Sequence, residues 1–224
     1  MRGVFVTGTG TGVGKTVVAA AIARTLAAAG KRVAVFKPAL TGLDEGGEPD
    51  QALLRRAAGS TQSDDQIAPY RYGPPMSPHL AAQLAGEEIA PGRLLDAARA
   101  AAAGAEALVC EGVGGLLVPL APGYLVRNLA ADLDLPLVVA ASPGLGTINH
   151  TLLTLEAARS AGLNVAAVVL TPWPSDPGPI ERSNRVAIAT LGEVRVETLP
   201  ELDRGDPGSW PALGDQAEPF CSAR

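Results

Sequence analysis

Apolar residues along the chain fall into short continuous runs, separated by longer stretches in which they recur every three or four positions. The short runs read as strands near 3–7, 32–37, 106–111, 136–141, 164–170 and 194–198. The longer stretches read as helices near 15–29, 49–58, 92–103, 125–133, 149–161 and 178–191. Their alternation predicts βαβ units, hence an α/β fold with a mostly parallel sheet flanked by helices. The runs at 106–111, 136–141 and 164–170 show little polar alternation, as expected of strands covered on both faces. Between about 38 and 91 the pattern loosens around Gly46-Gly47, Pro49, Pro69, Pro74-Pro75, Pro78 and Pro91. That stretch reads as a loop-rich excursion from a single domain spanning 1–224, with an irregular tail over about 203–224.

Composition narrows the function classes. A chain of 224 residues, 47% hydrophobic and 18% charged, can bury one sizeable core. The net charge of −5 and the lack of any basic run argue against nucleic-acid binding, and the pair Arg55–Arg56 reads as a solvated helix face. Apolar runs such as Leu135 to Ala141 fall far short of the ~20 residues that span a membrane, so no membrane partner is expected. Two cysteines, Cys110 and Cys221, are too few to staple a fold of this size. With a strand already at Gly3 to Thr7 leaving no room for a signal peptide, the expected compartment is the cytoplasm. Fifteen arginines stand against three lysines, Lys15, Lys31 and Lys37, so a lysine here marks a place that calls for a compact ammonium.

Two of those lysines lie in motifs. The first strand runs into Gly8-Thr9-Gly10-Thr11-Gly12-Val13-Gly14-Lys15-Thr16, followed by the apolar helix that starts at Val17. A strand, a glycine-rich loop and a helix N-terminus make a nest of backbone N–H groups, which is an anion site. The backbone from Gly12 through Val17 would cradle phosphates, Lys15 would bridge the β- and γ-phosphates, and Thr16 would offer its hydroxyl to Mg²⁺. This is a P-loop, one residue longer than the common form: five residues separate Gly8 from Gly14. Lys37, in Phe36-Lys37-Pro38-Ala39-Leu40-Thr41-Gly42, ends the second strand, and ligands gather at the carboxyl ends of parallel strands, so it is expected in the same crevice as Lys15.

The strand at 106–111 ends in an acid, Glu111, before Gly112-Val113-Gly114-Gly115. A carboxylate at that position suits Mg²⁺ support in phosphoryl transfer. Asp50 reads equally as a second metal ligand or as the N-cap of the following helix. Gly144-Leu145-Gly146-Thr147-Ile148-Asn149-His150 precedes another helix, with Thr147 or Asn149 as cap and free N–H groups suited to a carboxylate. Neither His79 nor His150 has a partner at metal-ligand spacing, which argues against zinc.

Taken together and in order, these segments, with Ser77-Pro78-His79, resemble the dethiobiotin synthetase family over residues 3 to about 170. The resemblance implies a P-loop NTPase fold and an ATP-dependent cyclo-ligase that makes dethiobiotin from 7,8-diaminopelargonate and CO₂. It implies Thr16, Asp50 and Glu111 as Mg²⁺ ligands, with ATP as co-substrate held by Gly12 to Val17 and Glu111. It places Thr11, Lys37, Thr41 and Gly114 where substrate meets γ-phosphate, with Lys37, Lys15 and Thr11 carrying the chemistry. The substrate carboxylate would lie at Thr147, Ile148 and Asn149, reached across a homodimer interface. The chain departs from the family in Leu170-Thr171-Pro172-Trp173-Pro174, which lacks the Asn that reads adenine in many members. Thr171 would face the nucleotide there, and relaxed base selectivity, with a triphosphate such as CTP accepted, is the expectation. The rival readings are a partitioning-type ATPase switch and another amide-forming synthetase. The first carries an extra lysine where this chain has Gly10, and the second usually adds a glutamine-hydrolysing domain for which 224 residues leave no room. A catalytically dead nucleotide-binding regulator is a third, opposed by the intact Lys15, Thr16, Lys37 and Glu111.

Overall fold

The computed structural model describes residues 2–211 and 213. Six parallel strands form the central sheet: β1 (Gly3–Gly8), β2 (Val33–Phe36), β3 (Ala107–Glu111), β6 (Leu137–Ala141), β7 (Val165–Trp173) and β8 (Val196–Pro200). Their spatial order is β2-β3-β1-β6-β7-β8, so the first strand of the chain sits in the middle of the sheet. Side chains of β1 alternate between the two faces. Phe5 packs with Phe36, Leu108 and Leu137 on one face, while Val4 and Val6 pack with Val18 and Ile22 on the other. Both faces are therefore apolar core, and β3 and β6 are buried along their whole length, as their uninterrupted apolar runs predict.

The helices α1 (Lys15–Ala28) and α2 (Asp50–Ala58) cover the face of Val4 and Val6. The opposite face is covered by α5 (Pro91–Ala102), α6 (Val126–Leu133), α7 (Thr147–Ser160) and α8 (Pro179–Gly192). Between them the chain makes elements that the apolar pattern does not announce. These are the short helices α3 (Asp64–Ile67) and α4 (Pro78–Leu84) and an antiparallel hairpin of β4 (Pro119–Ala121) and β5 (Tyr124–Leu125). The stretch 38–91 is thus partly helical. Pro78 occupies the first turn of α4, where a missing N–H is harmless, rather than breaking a helix. The last strand is also shifted, to 196–200, and β7 runs on through Trp173.

The sheet order sets the site. Chain crossovers leave β1 toward β2 on one side and pass to β6 on the other, so the carboxyl ends of β3, β1 and β6 form a switch-point crevice. The loop after β1 opens into that crevice. Arg55 and Arg56, read as a solvated face, are instead paired: Arg55 with Asp64 at 2.5 Å, and Arg56 with Glu48 and with the carbonyl of Arg204. Cys110 is a buried free thiol in β3, while Cys221 and the tail at 214–224 lie outside the described residues.

Candidate active site

The loop between β1 and α1 is built for an anion. Gly14 is the N-cap of α1 in the left-handed region (φ 89°), with no side chain capping the helix and no acidic residue in its first turn. The free N–H groups at this helix start therefore face the crevice. A Cβ at Gly14 would sit 2.5 Å from the Cγ2 of Thr171, which is buried directly behind the loop. Gly14→Ala thus meets both a forbidden backbone angle and a clash. We expect it to weaken triphosphate binding by at least about tenfold and to lower stability by about 2 kcal/mol. Titration with MgATP and thermal unfolding would check this, and near-wild-type values in both would refute it. Lys15 Nζ donates to the carbonyl of Gly10 at 2.7 Å, folding the loop back on itself.

A cleft of about 570 Å³ opens beside this loop. Among its lining residues are Thr11, Lys15, Lys37, Thr41, Asp50 and Glu111. The two sequence-selected lysines do share one crevice. Lys37 is only 4% exposed and donates to Asp50 Oδ2 at 2.5 Å and to Glu111 Oε1 at 2.6 Å. The Thr16 hydroxyl donates to the same Glu111 oxygen at 2.9 Å. Asp50 is the first residue of α2, with Pro49 as its N-cap, so its carboxylate points to Lys37 instead of capping the helix.

The electrostatics follow from burial and these contacts. Burial works against the Lys37 ammonium, but Glu111 and then Asp50 outweigh it and hold its pKa above the ordinary lysine value. Lys15 is shifted the other way, downward, chiefly by burial and against the pull of Glu111. Burial pushes Glu111 above the usual carboxylate range, with Lys37 opposing. For Asp50 burial is again the largest influence, yet the Lys37 charge overcomes it and holds the carboxyl low. The result is an ammonium clamped between two carboxylates that favour its charged form, with a more weakly basic lysine on the glycine-rich loop.

Gly12, Gly14, Thr16, Val17 and Gly114 also line the cleft, whereas Val13 and Thr171 support the loop from outside it. Thr147, Ile148 and Asn149 do not reach it. They begin α7, whose N-cap is Gly146 (φ 89°) and which has no side-chain cap, so neither Thr147 nor Asn149 caps the helix. That helix borders a second cavity of about 480 Å³, lined by Thr9, Thr11, Leu117, Val118, His150 and Leu153. Thr11 lines both cavities. Glu45, Pro75, Met76 and Arg204 also line the main cleft. None of the four lies in a motif, and only Met76, next to Ser77-Pro78, had a signal beside it.

Comparison with known proteins decides among the readings of this geometry. Residues 2–204 match a family model described as an AAA domain. The chain is 47% identical over 191 residues to the ATP-dependent dethiobiotin synthetase BioD of Anaeromyxobacter dehalogenans, covering 85% of this chain and 86% of that protein. It is 37% identical to the protein of the same name in Bacillus velezensis, over 91% of this chain and 88% of that one. The chain belongs to the dethiobiotin synthetase family.

Membership in the dethiobiotin synthetase family agrees with the resemblance carried by the motifs. A ParA family ATPase from Chlorobium tepidum superposes with a TM-score of 0.54 at 13% identity, covering 99% of this chain and 91% of that one. That likeness shows a shared fold. No helix among the described residues is long and apolar enough to cross a membrane.

Proposed function

We propose that this chain is an ATP- and Mg²⁺-dependent dethiobiotin synthetase, a cytoplasmic cyclo-ligase that converts 7,8-diaminopelargonate and CO₂ to dethiobiotin with release of ADP and phosphate. The observation that carries the reading is the ammonium of Lys37, buried in the P-loop cleft between Asp50 and Glu111, in a member of this family. One amine of the diamine takes up CO₂ as a carbamate, and Lys37 stabilises the negative charge that develops on its oxygens. A carbamate oxygen then attacks the γ-phosphorus in line and ADP leaves with the bonding pair, while Lys15, bridging the β- and γ-phosphates, offsets the charge that builds on the leaving oxygen. The second amine attacks the carbonyl carbon of the mixed anhydride, phosphate departs, and the cyclic urea closes. Both amines belong to one held molecule, so closure gains from proximity.

The residues fit Mg²⁺. Thr16, Asp50 and Glu111 present only oxygen donors, and the second carboxylate oxygen of Glu111 is buried without a hydrogen-bond partner. Such a set suits a hard cation that keeps several waters. When bound, Mg²⁺ would neutralise the charge on the β- and γ-phosphates.

The substrate carboxylate would sit at the uncapped start of α7, on the N–H groups of Thr147, Ile148 and Asn149. The side chain of Leu145 is 97% exposed there, and Leu117 and Leu153 are exposed around the adjoining cavity. An apolar rim of this kind supports a homodimer that completes the tail site. Base selectivity would be relaxed, because Pro172 and Pro174 offer no N–H donor near the expected base position. Values of kcat/KM for ATP, CTP and GTP should then agree within about tenfold, whereas a site built to hydrogen-bond one base rejects others far more strongly.

Phosphate release from MgATP with bicarbonate, with and without 7,8-diaminopelargonate, followed by mass detection of product, tests the whole reading. Diamine-dependent release with dethiobiotin formed is expected. Diamine-independent hydrolysis would overturn it in favour of an ATPase switch, and no hydrolysis at all in favour of an inactive nucleotide binder.

A further inference from the structure

The chain beyond β8 returns across the P-loop helix. Arg24 donates to the carbonyls of Pro207 and Gly208 at 3.2 and 3.0 Å, and Arg56 donates to the carbonyl of Arg204 at 2.7 Å. The Trp210 indole donates to the carbonyl of Asp203 at 2.6 Å, and the Leu213 N–H reaches the Thr25 hydroxyl at 3.0 Å. Pro207 and Trp210 are buried, with Trp210 in the same core cluster as Val18 and Ile22. Residues 203–211, with Leu213, therefore form a strap, fixed to α1 and α2 by several independent contacts.

Arg204 is the residue that the strap presents to the cleft. Its backbone is held by Arg56, and the turn after it is closed by the Gly205 N–H on the Asp203 carboxylate at 2.8 Å. Its guanidinium makes no hydrogen bond or salt bridge to any described residue, yet it lines the cleft together with Lys15, Thr16, Val17 and Asp50. Its charge is felt at Asp50, adding to the larger effect of Lys37 against burial.

Charge in the cleft gives this arginine something to do. Asp50 and Glu111 engage the Lys37 ammonium, which leaves Lys15 as the only other lysine in the cleft. A triphosphate carries more negative charge than one ammonium and one divalent ion offset. A planar guanidinium without a hydrogen bond to any described residue, fixed at its backbone and lining the cleft with Lys15 and Thr16, suits bidentate phosphate contact.

We propose that Arg204 is a nucleotide-binding residue, a cation that the C-terminal strap places against the polyphosphate of the nucleoside triphosphate on the P-loop. Arg24, Arg56 and Trp210 are then positioning residues for it. The inference rests on the nucleotide use proposed above and adds a contact to it.

Calorimetric titration of the full-length protein with MgATP tests it, with steady-state kinetics alongside. Arg204→Ala should raise Kd and KM for MgATP about tenfold, the loss of one charge-assisted contact. Arg204→Lys should recover part of that, and KM for the diamine should stay put. Unchanged near-ultraviolet dichroism, which reports the packing of Trp210, would show the strap still docked. Lys15→Ala serves as the control. If Lys15→Ala weakens MgATP binding and Arg204→Ala does not, the role of Arg204 is overturned while nucleotide use stands. If neither variant alters binding, the nucleotide reading itself falls. A rise in KM for the diamine instead of MgATP would also overturn the assignment.

Discussion

Lys37→Ala is expected to lower kcat about 10³-fold while KM for MgATP changes by less than about threefold. The asymmetry follows from where the ammonium sits. It faces the cleft where the carbamate would form, whereas the triphosphate would be gripped by the loop around Lys15. A second effect should accompany the first. Glu111 is fully buried and Lys37 nearly so, and removing one partner of a buried pair costs about 3 kcal/mol or more. In a chelating buffer the thermal midpoint should therefore drop. Excess Mg²⁺ should restore most of it, because a cation at Asp50 and Glu111 replaces the missing ammonium. A Lys37→Ala protein that keeps its midpoint in chelator and loses less than about tenfold in kcat would contradict both parts.

Glu111→Ala should be nearly as damaging, through two routes at once. The carboxylate accepts from Thr16 and from Lys37, so its loss would disorder the proposed Mg²⁺ ligands and strip Lys37 of its strongest support. Burial would then pull the Lys37 pKa down, leaving less of the charged form for the carbamate step. Turnover should fall by on the order of 10²-fold or more, as for loss of metal-centred charge stabilisation. Glu111→Gln separates the routes, since its amide oxygen can still accept from Thr16 without supplying charge. Single-turnover phosphate release across a Mg²⁺ titration should show a raised Mg²⁺ requirement for both variants. A Glu111→Gln protein with wild-type Mg²⁺ dependence would remove this residue from the metal site.

Much of this site can be read from the chain because its parts stand at strand ends. Lys37 and Glu111 are marked as polar residues closing apolar runs, and a parallel sheet brings such termini to one edge whatever the intervening sequence. Gly14-Lys15-Thr16 is marked by its own local chemistry. The hairpin at 119–125 was not legible, since strands of three and two residues are too short to show a period. Helix α4 was hidden by Pro78, which signals a helix start as readily as a break. Arg204 had no signal at all. Its place depends on Arg24, Arg56 and Trp210 anchoring an aperiodic segment, contacts that span up to 184 positions of sequence.

The central position of β1 also bears on how the protein comes to be made. The strand that precedes the glycine-rich loop is made before the other strands of its sheet, yet both its neighbours, β3 and β6, begin more than a hundred residues after it starts, at Ala107 and Leu137. Until β3 emerges, the edges of β1 have no strand partner, although α1 can already cover Val4 and Val6. The nascent chain must therefore hold an apolar strand without strand partners until Ala107 is made, the stage at which long-range parallel pairing is slow and most exposed to aggregation. Any nucleotide binding that needs the loop fixed between β3 and β6 would come into being only once Ala141 has been translated.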